Sequence, residues 1–143
     1  MISVRHVGIV VTDLKAALYF YCDLLGLKEA PVKVEAGPFL EGLLAFDKAH
    51  VHTVKLTAFE GPTLVELLAF DEPRPLPKTP LNAVGPTHIA LTVDDLQNMY
   101  ERLLKAGVPF NAPPRQTPDG LAVVAYCQDP DGTFIELVEP KKR

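Results

Sequence analysis

The 143-residue chain predicts an α+β fold made of two tandem βαβββ modules. Three observations carry this. The stretch "RHVGIVVTDLKAALYFYCDLLGL" from the first half resembles "THIALTVDDLQNMYERLLKAGV" from the second, with His6 matching His88 and Asp13 matching Asp95. A second pair follows in the same order, "TLVELL" at 63–68 and "TFIELV" at 133–138, each with one Glu among β-formers. Between the copies, "DEPRPLPKTPLNAVGP" carries five prolines, which disfavour any regular element and suggest a stiff extended linker. The expected boundaries are 1–70 for the first module, 71–85 for the linker and 86–143 for the second module, together one domain.

Each element has its own signal. "VRHVGIVV" alternates with a period near two and is rich in β-branched residues, which predicts a strand. Asp13 then caps a helix whose apolar positions Leu14, Ala17, Leu18, Tyr21, Leu24 and Leu25 fall at helical spacing, with Gly26 placed to end it. Strands are expected at about 27–35, 50–59 and 63–70. "GPFLEGLL" reads as a short helix or lid, and Phe39, Leu40, Leu43 and Leu44 in it equally suit a dimer interface. In the second copy Asp94 or Asp95 caps a helix with the stripe Leu96, Met99, Tyr100, Leu103 and Leu104, ended by Gly107. Strands follow at about 108–116, 121–127 and 133–139, and "TPDG" and "DPDG" read as turns rather than acid groups.

Composition bounds the function. With 48% hydrophobic and 22% charged residues, the chain matches one globular domain with a real core. A formal net charge of −4 without a basic stripe argues against nucleic acid as a partner. No apolar run approaches the roughly 18 to 20 residues that span a bilayer, so no membrane partner is expected. The start "MISVRHVG" lacks the charged n-region and apolar centre of a signal peptide, and a cytoplasmic location is expected. Cys22 and Cys127 show no metal or disulfide spacing and read as reduced small hydrophobes.

Strand parity says where the repeated polar residues point. Val7, Ile9 and Val11 project opposite to His6, and Ile89, Leu91 and Val93 opposite to His88. Val65 and Leu67 likewise oppose Glu66, and Ile135 and Leu137 oppose Glu136. The bulky sets belong against the helices, which puts all four polar residues on the other face. If the first and last strands of each module are neighbours, His6 meets Glu66 and His88 meets Glu136. Carboxylates on such a face call for a shared partner, and a divalent ion suits two imidazoles and two carboxylates, whose charges neutralise it. Zn, Ni, Mn, Co or Fe all accept that donor set. His50 and His52 are placed to share a strand face, but at a strand start they read as ordinary surface residues.

"HVGIVVTDLKAALYFYCDLLGL", "HIALTVDD" and "CQDPDGTFIELVEP" resemble the vicinal oxygen chelate superfamily, which includes glyoxalase I, methylmalonyl-CoA epimerase, extradiol dioxygenases and fosfomycin- and bleomycin-resistance proteins. The resemblance implies paired modules forming a curved mixed sheet around a metal cleft, with one divalent ion per site. It carries the ligand positions onto His6, Glu66, His88 and Glu136, a glyoxalase-like His, Glu, His, Glu set. The implied activity is that of a glyoxalase I-like lyase or isomerase, which removes a proton α to a carbonyl and stabilises a metal-bound enediolate. Glu136 is then the first candidate for the base and Glu66 the second, with Arg115 and Tyr126 as substrate contacts. The resemblance also implies a small-molecule substrate and a homodimer. Methylmalonyl-CoA epimerase-like isomerisation, extradiol dioxygenation and non-catalytic antibiotic binding are the alternatives the same superfamily offers.

Overall fold

Alternating β-branched residues and two Asp-capped helices set the elements seen in a computed structural model, which describes residues 1–59 and 61–142. The chain divides into two compact units, Met1–Pro75 and Leu76–Arg143. The boundary between them falls within the proline-rich 71–85 stretch.

The first unit runs β1 (Val7–Val10), α1 (Leu14–Leu18), β2 (Lys28–Glu29), β3 (Lys33–Ala36), α2 (Pro38–Leu44), β4 (His50–Thr57) and β5 (Thr63–Phe70). Its sheet has the order β1-β5-β4-β2, with β3 also pairing with β4. The second unit runs β6 (His88–Thr92), α3 (Leu96–Lys105), β7 (Arg115–Gln116), β8 (Ala122–Gln128) and β9 (Phe134–Pro140), in the order β6-β9-β8-β7. Each unit thus sets its first strand parallel to its last, while the remaining pairs are antiparallel.

The helix-side core follows from parity. In the first unit Ile9, Val11, Val54, Leu56, Val65 and Leu67 are buried together with Ala17, Phe20, Tyr21 and Leu24 of the helix. In the second unit Ala125, Cys127, Ile135 and Leu137 are buried with Leu96 and Leu103. Each such aliphatic side chain contributes roughly 1.5 to 3 kcal/mol by leaving water. A smaller cluster covers part of the opposite face of the first sheet, where Leu40 of α2 packs with Ala49, Val51, Leu68 and Phe70. The short helix expected from "GPFLEGLL" therefore forms and anchors through Leu40, leaving Phe39 and Leu43 exposed.

Both helix starts are built as their sequences require. Asp13 Oδ1 accepts the Ala16 N–H at 3.0 Å, and Asp95 Oδ1 accepts the Asn98 N–H at 3.0 Å, so Asp95 rather than Asp94 is the cap. Glu139 of β9 adds a bond of 2.8 Å from the Leu96 N–H, tying the start of α3 to the sheet. Gly26 and Gly107 follow the helices at φ +88° and +85°, where a Cβ would be strained.

Four expectations need correction. The strand over 27–35 is interrupted, because Pro31 has no N–H to give and the chain leaves the ladder between Glu29 and Lys33. Of 108–116 only Arg115–Gln116 is a strand, with a lone bridge from Phe110 to Cys127, since Pro109, Pro113 and Pro114 remove donors. The first helix turns π-helical over Tyr19–Leu24, with Leu25 N–H bonding Phe20 O, and it closes through Leu27 N–H bonding Tyr21 O around Gly26. The ladder of β1 starts at Val7, one residue after His6.

The two acidic turns behave as turns. Asp119 Oδ1 accepts from the Thr117 hydroxyl at 2.6 Å and the Leu121 N–H at 3.0 Å, and these bonds hold its carboxyl below the usual range. Asp129 Oδ1 accepts from the N–H groups of Asp131 and Thr133. Among the described residues no helix is long and apolar enough to cross a membrane.

Candidate metal centre

Glu66 and Glu136 occupy equivalent places. Each lies on the last strand of its unit, between two buried residues, Val65 and Leu67 in one case and Ile135 and Leu137 in the other. Their partners on the first strands are small, since Gly8 pairs with Glu66 and Ala90 with Glu136. Small neighbours leave room above the sheet for the imidazole two residues earlier. His6 Nε2 accordingly lies 4.0 Å from Glu66 Oε1, and His88 Nε2 lies 3.3 Å from Glu136 Oε2. All four side chains are partly buried, on the sheet face opposite the helix.

The His88 side is the more elaborated. Its Nδ1 is 3.0 Å from Thr87 Oγ1. In the tautomer with the proton on Nδ1, Thr87 accepts it and Nε2 turns its lone pair toward Glu136, the arrangement that metal-binding imidazoles use. Tyr126 is directly across β8 and β9 from Glu136, its hydroxyl is 3.5 Å from His88 Nε2, and the two rings meet edge to face at 5.3 Å. Burial, then the charge of Glu136, then a hydrogen bond to it raise the Tyr126 pKa. Arg115 pairs with Val124, two residues from Tyr126, and so shares the Glu136 face as an exposed cation.

Within each unit, therefore, the predicted residues converge: His6 with Glu66, and His88 with Glu136 and Tyr126. Two contributors escaped the sequence reading. Thr87 sits outside the alternating pattern, and its only signal is its place just before His88. Lys55 pairs with Glu66 across β4 and β5, as Tyr126 does with Glu136, and so lies on the Glu66 face.

The donor set fits a divalent ion. Ligands bonded at roughly 2.0 to 2.2 Å and set near tetrahedral or octahedral angles are about 3 to 3.5 Å apart. The 3.3 Å between His88 Nε2 and Glu136 Oε2 matches that edge, and the 4.0 Å between His6 Nε2 and Glu66 Oε1 needs a small side-chain rotation.

Residues 3–137 match the Glyoxalase/Bleomycin resistance protein/Dioxygenase superfamily, and the chain belongs to that family. It is similar to a probable lactoylglutathione lyase of Synechocystis, 29% identical over 140 residues that cover 96% of this chain and 95% of the relative. It is also similar to biphenyl-2,3-diol 1,2-dioxygenase 2 of Rhodococcus globerulus, 33% identical over 137 residues, 92% of this chain but 60% of that longer protein. Among solved structures, a glyoxalase family protein from Bacillus cereus shares the fold at a TM-score of 0.89 and 23% identity, covering 99% of this chain and 96% of that one.

Proposed function

We propose that this chain is a divalent-metal-dependent lyase or isomerase of the glyoxalase I type, which moves a proton from a carbon α to a carbonyl. The duplicated His–Glu pair carries the reading: each unit presents one imidazole and one carboxylate on the same sheet face. His6, Glu66, His88 and Glu136 would hold the ion. When bound, the ion supplies Lewis-acid polarisation of the substrate carbonyl.

The remaining work belongs to the side chains. Glu136 takes the proton from carbon α on a carboxylate oxygen and returns it to the neighbouring carbon, with Glu66 as the second candidate. A positioned carboxylate of this kind typically gives about 10²- to 10⁴-fold in rate. Tyr126, whose proton is held more tightly than usual, donates a hydrogen bond to a substrate oxygen rather than acting as a base. Arg115 supplies a cation for an anionic part of the substrate. The protein works as a cytoplasmic homodimer on a small molecule, with modules exchanged so that each site draws on two chains.

The test is a substrate panel of thiol hemithioacetals and CoA thioesters with metal-loaded protein, read by NMR for solvent deuterium entering carbon α. Exchange or turnover that depends on metal and fails in Glu136→Gln is the expected result. Ring-opening dioxygenation is the second reading, favoured by the likeness to the Rhodococcus enzyme. Metal-dependent oxygen uptake with a catechol, and no deuterium entry, would replace the first reading with it. The second carboxylate in the quartet favours the first, because an ion that must also take up oxygen and a catecholate needs open positions.

A further inference from the structure

We infer that His50, His52 and Asp71 form a second transition-metal site, on the face of the first sheet opposite Glu66. The register places them there. Glu66, Leu68 and Phe70 alternate onto one face of β5, so Ala69 and Asp71 take the other. His52 pairs with Ala69, and the Asp71 N–H bonds the His50 carbonyl at 3.1 Å, so both imidazoles share Asp71's face. One ligand atom from each of the three lies within 4.8 Å of the others.

The local geometry is that of ligands rather than of a simple ion pair. His50 Nδ1 is 2.9 Å from Asp71 Oδ1. That nitrogen is nevertheless buried without a hydrogen-bond partner among the described residues. A buried imidazole nitrogen that faces a carboxylate without bonding it is costly, and a cation between them removes the cost. His52 completes the arc, its ring meeting His50 edge to face at 5.4 Å. Modest rotations bring three such atoms to the separation of about 3.4 Å expected around a tetrahedral ion at roughly 2.1 Å. Two imidazoles and one carboxylate suit Zn²⁺, Co²⁺ or Ni²⁺, and the exposure of Asp71 leaves a path for entry and a fourth position for water.

Such an ion would clip the start of β4 to the end of β5. Asp71 is also the first residue of the proline-rich segment, so the clip would fix where that segment leaves the first unit. The site is independent of the Glu66 face, and its test separates the two. Zinc is titrated calorimetrically into metal-free full-length protein carrying His6→Ala and His88→Ala, with circular dichroism to verify folding. The inference expects one Zn²⁺ per chain at micromolar or tighter affinity, weakened at least about 30-fold by adding His52→Ala and about tenfold by adding Asp71→Asn, which preserves shape. It also expects Zn²⁺ to shift the imidazole resonances of His50 and His52 in the wild-type chain. Binding unaffected by both substitutions, or seen only at millimolar zinc, overturns it.

Discussion

His88 Nε2 stands 3.3 Å from Glu136 Oε2, closer than the 4.0 Å that separates His6 Nε2 from Glu66 Oε1. The second unit's pair is already at the spacing of two ligands on one ion, and Thr87 steadies its imidazole. Substitution there should cost more metal affinity than in the first unit. Equilibrium dialysis with elemental analysis is expected to show about 100-fold weaker binding for His88→Ala, about tenfold for Thr87→Val and an intermediate loss for His6→Ala. Equal retention of metal in all three would remove the quartet from consideration.

Tyr126→Phe tests the hydroxyl beside the pair. The ring and its edge-to-face contact remain, so metal stoichiometry and stability should hold while turnover falls roughly tenfold, the scale of one lost hydrogen bond to substrate. A loss of metal along with activity would instead make Tyr126 part of the metal's support.

The exchanged-module arrangement makes a prediction of its own. Inactive His6→Ala and His88→Ala chains, once mixed and shown to exchange subunits, regenerate one intact site per mixed dimer. Up to half of the wild-type activity per mixed dimer should return. Verified exchange without recovery would place both modules of a site in one chain.

Leu137 is fully buried between α3 and the sheet, whereas Val10 is half exposed. Urea unfolding should show Leu137→Ala destabilised by about 2 to 5 kcal/mol and Val10→Ala by well under half of that. Comparable losses would mean that β9 is less central to the core than its burial indicates.

Cys127 carries an alkaline signature. Burial, then the charge of Asp129, push its thiol up to about 12 from an ordinary 9.0. Below pH 9 both folded and unfolded chains keep the proton, and the thiol makes stability neither rise nor fall. Above it the unfolded chain releases the proton first, so stability drops as pH climbs toward 12, by up to about 1.4 kcal/mol per unit. Cys127→Ala should flatten that slope in urea midpoints taken from pH 8.5 to 10.5.

What the sequence disclosed was whatever repeats or alternates. The parity of Ile135, Glu136 and Leu137 fixed the facing of β9, and Asp13 and the Asp94–Asp95 pair marked two helix starts, the choice of Asp95 coming from its bond to Asn98. The His–Glu pairs were legible because the chain states the pattern twice. Pro31 and the prolines at 109, 113 and 114 were equally visible, yet their neighbours' β propensity outweighed them in the reading, and the structure shows the missing N–H winning. Leu14–Leu25 has one helical stripe, and nothing in its spacing marks where α-helical bonding widens to π. His50 and His52 looked like surface residues because Asp71 joins them only through the register of β4 and β5, a relationship between segments that no local pattern contains.

The parallel pairing of first and last strands has a kinetic consequence. Val7 meets Val65, whereas Thr57 meets Thr63 across a short turn. Closing a long loop costs more chain entropy than closing a short one, so the β4–β5 hairpin can form early while β1 must wait for a finished edge. The first strand of this unit is then the last to dock. An Ile9→Val change, buried yet late-forming, should speed unfolding and leave the refolding rate nearly untouched.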